Sequence, residues 1–115
     1  MTIRFTILAS GSTGNSLLVE SEDSKVLVDA GLSAKKIEQL MNERGVSGSE
    51  LDAILVTHEH SDHVKGVGVL ARKYDLPVYA NEKTWEALNK QLGELAEENK
   101  VVMDTGEVAH FGSLT

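Results

Sequence analysis

Hydrophobic positions first recur with a period of two. Ile3, Phe5 and Ile7 alternate with Arg4 and Thr6, as in a half-buried strand, and the run ends at the Gly/Ser/Asn cluster of residues 9–15. Leu17-Leu18-Val19 forms a second short apolar run. The polar Ser21–Ser24 turn follows, then Val26-Leu27-Val28, closed by Asp29-Ala30-Gly31. Three strands in a meander are the expectation.

The period then lengthens to 3.6. Ile37, Leu40, Met41 and Arg44 share one helical face behind Ser33, an N-cap residue type, and Gly45 supplies the left-handed residue that often ends a helix. Ala53-Ile54-Leu55-Val56 is apolar on both faces, as a strand buried between helices is, and it runs directly into Thr57-His58. Val67, Leu70, Ala71 and Tyr74 mark a second helix despite Gly66 and Gly68, and Pro77–Ala80 reads as the following strand. Asn81 caps a third helix carrying Trp85, Leu88, Leu92 and Leu95. Beyond it, Val101–Met103 and Val108–Phe111 read as strands around the Thr105-Gly106 turn.

A meander followed by strand–helix alternation predicts a mixed sheet with helices packed on one face. Nothing in the pattern supplies a layer for the other face, and Gly112–Thr115 carries no stop signal, so a cut chain is expected. At 115 residues, 41% hydrophobic and 25% charged, the chain suits one globular domain rather than a disordered one. Residues 1–115 are therefore read as the N-terminal part of a single domain.

Eighteen acidic against eleven basic residues give a net charge of −7, so any nucleic-acid binding must be local rather than driven by the global field. Without cysteine, disulfides and thiolate metal sites are excluded, leaving His, Asp and Glu as ligands. Arg4 interrupts the first apolar run, which fits a strand better than a secretory signal, and no segment is long enough to span a bilayer. A cytoplasmic protein with no membrane partner is expected.

Three of the four histidines fall in Thr57-His58-Glu59-His60-Ser61-Asp62-His63, immediately after the buried strand. Imidazoles this close are poor neighbours once protonated unless a cation or hydrogen bonds hold them neutral. In extended chain, residues two apart project to one side. His58 and His60 can thus grip one metal ion while Asp62 and His63 reach a second. Imidazole and carboxylate suit zinc, manganese or iron, and the carboxyl end of a strand is where open α/β sheets place their sites.

HEHSDH resembles the HxHxDH signature of the metallo-β-lactamase superfamily, and the Val28-Asp29-Ala30-Gly31 turn and Gly66 match its usual surroundings. The opening Ala9-Ser10-Gly11-Ser12-Thr13-Gly14-Asn15-Ser16 is similar to the YycJ/WalJ branch, cytoplasmic bacterial proteins described as DNA exonucleases, as are residues 55–63 and 68–74. The resemblance implies an α/β fold (α+β in some schemes), the αββα sandwich, of which this chain would hold about the first half. It implies two divalent metal ions, zinc or manganese with iron as a further choice, the first bound by His58 and His60 and the second by Asp62 and His63. Asp29 would stand behind the metal loop. Asp62 would orient a metal-bridged hydroxide and accept its proton, and DNA would be the substrate.

By itself the Gly/Ser cluster marks a tight turn, although its backbone N–H groups suit a phosphate, which makes Ser12 and Asn15 candidates for a substrate loop. Family members use further ligands downstream, none of which can be assigned here; His110, alone in an expected strand, reads as structural. With two ligands per ion, the 115 residues alone are expected to be inactive, and the uncovered sheet face to drive self-association. Lys35, Lys36, Lys65, Arg72 and Lys73 offer a basic rim, but exposed lysines on helices are ordinarily solvating. Two other readings stay open: a small-molecule metallo-hydrolase of the lactonase, thioesterase or β-lactamase type, and a catalytically incompetent fragment.

Overall fold

The computed structural model describes residues 3–11, 14–57, 64–92, 95 and 97–102. Strands β1 (Arg4–Ala9), β2 (Ser16–Glu20) and β3 (Lys25–Val28) form the expected antiparallel meander. Strands β4 (Ala53–Leu55), β5 (Val78–Ala80) and β6 (Lys100–Val102) then add in parallel, giving a mixed sheet in the order β1-β2-β3-β4-β5-β6. Parallel neighbours need crossovers, which helices α1 (Ala34–Asn42), α2 (Val67–Tyr74) and α3 (Glu82–Gln91) supply.

The caps are those expected. The Ser33 hydroxyl accepts the Lys36 N–H and the Asn81 side chain accepts the Thr84 N–H, so each satisfies a donor the first helical turn leaves without an internal acceptor. Helix α3 ends at Gln91, so Leu95 lies beyond it rather than on its face. Gly93, a poor helix residue, follows in sequence, yet Leu95 still packs against the core. Two short 3-10 turns, Gly48–Glu50 and Glu97–Asn99, were not expected; the first is closed by a capping box between Ser47 and Glu50. That backbone hydrogen bond from Ser47 holds the Glu50 carboxyl below its ordinary pKa. Met103, the strand expected over Val108–Phe111 and His110 lie outside the described residues.

Register explains the core. Leu18, Leu27, Ile54 and Val78 stand opposite one another on four adjacent strands, and all are at 0% exposure. Ile37 and Met41 of α1, Val67, Leu70 and Ala71 of α2, and Trp85 and Leu88 of α3 join them in one continuous cluster. Full burial of each such aliphatic chain contributes about 2 kcal/mol. The neighbouring row, Ile7-Leu17-Val28-Leu55-Tyr79-Val101, crosses all six strands on the opposite face. It is only half-buried along most of its length, and Phe5 and Ile7 are 67% and 66% exposed. Helices therefore cover one face of the sheet, as the strand–helix alternation predicts.

Candidate metal centre

Because β1, β3, β4, β5 and β6 all run the same way and β2 runs against them, the ends of β1, β3 and β4 and the start of β2 share one sheet edge. The Gly/Ser loop, the turn after β3 and the histidine-rich loop after β4 all leave from that edge.

Asp29 is the residue on which they meet. It adopts φ 62°, a left-handed conformation that aspartate and asparagine tolerate better than most side chains. Its backbone N–H donates to the Leu55 carbonyl at 2.7 Å, and its own carbonyl accepts the Ser16 hydroxyl at 2.8 Å. The buried carboxylate accepts two bonds from Thr57: the backbone N–H at Oδ1, 2.8 Å, and the hydroxyl at Oδ2, 2.6 Å. Thr57 immediately precedes His58, so Asp29 holds the chain where the histidine motif begins.

The far end of that loop is held by the same turn. The Gly66 N–H donates to the Ala30 carbonyl at 2.7 Å, and a side chain at Gly66 would run into the Leu32 carbonyl and stand 3.1 Å from the Ala34 nitrogen. Only glycine permits so close an approach of two backbones. The Gly/Ser loop is seated there too. The Gly31 N–H donates to the Asn15 carbonyl at 2.9 Å, while the Asn15 carboxamide accepts the Gly11 N–H at 3.1 Å and donates to the Gly11 carbonyl at 2.9 Å.

Of the residues the sequence singles out, Asp29 and Asn15 are described, and both belong to this junction. His58, His60, Asp62, His63 and Ser12 lie outside the described residues. Among the described residues no group of three His, Asp or Glu side chains converges as a metal site. A centre here therefore depends on the loop between Thr57 and Gly66, whose three imidazoles and two carboxylates have the donor chemistry of a divalent-ion site. Sequence reasoning did not find Thr57 or Ser16. Thr57 was signalled only by standing ahead of the motif, and Ser16 reaches Asp29 across thirteen residues only because β2 pairs with β3.

The expected basic rim divides. Lys35, Lys36 and Lys65 are exposed at the beginnings of α1 and α2. Arg72 instead donates to the Leu92 carbonyl, and Lys73 bridges to Glu38 of α1 at 2.9 Å and lies 5.3 Å from the Tyr74 ring centre. The Glu38 carboxylate raises the Lys73 pKa above its ordinary 10.5. Those two cations serve helix packing.

Residues 9–113 match the Metallo-beta-lactamase superfamily. Exodeoxyribonuclease YycJ of Bacillus anthracis is 53% identical over 114 residues, which take in 99% of this chain and 43% of that protein. Exodeoxyribonuclease WalJ of Streptococcus pneumoniae serotype 2 is 52% identical over 113 residues, 96% of this chain and 42% of that protein. Among solved structures, a B3 metallo-β-lactamase with an active-site glutamic acid superposes with a TM-score of 0.78 at 26% identity, covering 95% of this chain and 46% of that one. The chain thus spans less than half the length of the relatives it matches.

Proposed function

The chain belongs to the metallo-β-lactamase superfamily and has that fold, and from this premise we propose that it carries the first half of the metal site of a DNA exonuclease. The observation that carries the metal site is the pair of hydrogen bonds that Thr57 donates to the Asp29 carboxylate, which braces the chain directly ahead of the HxHxDH motif at the sheet edge. A brace of this kind fixes where the following ligands start, and carboxylates behind a ligand shell typically have this task.

The superfamily implies divalent metal ions, and His58 with His60 and Asp62 with His63 are the residues that would hold them, zinc or manganese being the ions of choice. When bound, such ions lower the pKa of water and neutralise charge developing on a phosphoryl group. Asp62 would orient the attacking water and take its proton. Asp29 touches no reacting atom; it keeps the start of the loop in place. Asn15, through Gly11, keeps the Gly/Ser loop at the same edge, where Ser12 and the loop's N–H groups would meet substrate.

DNA as the substrate rests on the likeness to YycJ and WalJ, since the chain's net charge of −7 does not favour it. Residues 1–115 read as the N-terminal part of one domain. No helix among the described residues is long and apolar enough to cross a membrane.

The test is degradation of end-labelled duplex DNA by the intact gene product with Mn²⁺ or Zn²⁺, beside chromogenic ester and lactam substrates. Loss of label from the ends is expected, abolished by chelation and by His60→Ala. Turnover of an ester or lactam with every DNA end left whole would replace the nuclease with a small-molecule hydrolase. The 115-residue chain alone is expected to be inactive, because it offers two ligands per ion where a catalytic zinc takes three.

A further inference from the structure

One residue in the junction contacts both loops at once. The Leu32 side chain faces Gly14, where an added side chain would overlap it, standing 2.9 Å from Leu32 Cγ and 3.0 Å from the Gly31 carbonyl. The backbone carbonyl of the same Leu32 faces Gly66 at the far end of the histidine-rich loop. Leu32 is half-buried and packed against the core, and beside it the Gly31 carbonyl is backbone of the same turn and cannot rotate away. Its turn also supplies the Asp29 carboxylate to Thr57 and the Ala30 carbonyl to Gly66.

We infer that Leu32 is a positioning residue coupling the Gly/Ser loop to the metal-ligand loop, so that packing at Gly14 sets metal affinity. The inference rests on the metal reading above. Pressure on the Leu32 side chain shifts the turn of residues 29–33, and that turn carries both anchors of the ligand loop. The two glycines differ in what opposes them: at Gly14 chiefly a side chain that can be removed, at Gly66 a backbone carbonyl that cannot.

The test uses the intact gene product and reads metal affinity by competition with a chromophoric chelator, metal content by elemental analysis, and apoprotein stability by urea unfolding. Gly14→Ala is expected to weaken metal binding about tenfold, the lower end of the cost of disturbing groups behind a ligand shell. Adding Leu32→Ala should bring the affinity back to within roughly threefold of Leu32→Ala alone, as compensation between contacting residues does. Gly66→Ala should gain nothing from Leu32→Ala. If Gly14→Ala does not fold, Leu32→Ala carries the test, and binding about threefold weaker than wild type supports the coupling. Variants that lose stability but keep wild-type metal affinity, or a double variant without recovery, overturn the inference and leave the metal centre standing. A wild-type protein that retains no metal overturns both.

Discussion

Asp29 concentrates more of the site's construction than any other described side chain. Its left-handed backbone and its carboxylate are separate requirements, and two substitutions separate them. Asn tolerates φ 62° but presents an amide N–H₂ toward one of the two Thr57 donors. Asp29→Asn is therefore expected to cost about 1–3 kcal/mol, the penalty of an unsatisfied buried group. Asp29→Ala should cost roughly 1–2 kcal/mol more for the left-handed backbone. Urea midpoints check both. Metal affinity should fall about 10–100-fold in either variant, which a chelator competition would read. Thr57→Val removes only the hydroxyl bond and should cost less than Asp29→Asn. Equal losses for Thr57→Val and Asp29→Asn would show that the backbone N–H bond contributes nothing. At this scale the aspartate in the turn after β3 was legible through the family signature. Its partners were not, because Thr57 lies 28 residues away and meets it only when β3 and β4 pair.

Helices α1 and α3 could be read from their spacing of apolar residues and their caps, and α2 from its spacing alone, since both signals are set by neighbours within four positions. How the elements press together could not. Gly66→Ala is expected to destabilise the protein by about 1–3 kcal/mol, the usual cost of overpacking, because the atom it meets is backbone and cannot turn aside. A urea midpoint equal to wild type would mean the loop end is not seated on Leu32. Trp85 is the one tryptophan of the chain, and its indole N–H donates to the Val101 carbonyl at 2.8 Å, tying α3 to β6. Trp85→Phe should cost about 1–3 kcal/mol through the acceptor left behind, and Trp85 fluorescence should report α3 and β6 separating with the rest of the fold. The Lys73–Glu38 bridge between α2 and α1 is exposed. Its contribution is intact below pH 10.5 and is lost as pH rises through the raised Lys73 value. The difference between wild type and Lys73→Met should accordingly vanish at high salt.

For the whole molecule, helices cover one face of the sheet, and among the described residues no element covers the other. Phe5 and Ile7 are exposed beside the half-buried Leu17, Val19 and Val28, forming an apolar surface on the outer, antiparallel half of the sheet. Such a surface favours association. The 115-residue chain is expected to sediment as a concentration-dependent mixture, and Phe5→Glu with Ile7→Glu to shift it toward monomer without loss of helical signal. A wild-type chain monomeric at every concentration would count against an adhesive face.

Local pattern and donor chemistry were enough to establish the strand order of the opening meander, the three helices, the all-apolar β4 and a histidine-rich loop at a strand's carboxyl end. Alternation and capping depend on residues a few positions apart, and imidazole and carboxylate bring their ligand character with them. Tertiary structure alone decided that residues 14–16, 29–32, 57 and 66 form one junction. Their convergence follows from strand pairing across long separations, and those hydrogen bonds and close approaches exist only once the sheet has brought the three loops to a common edge.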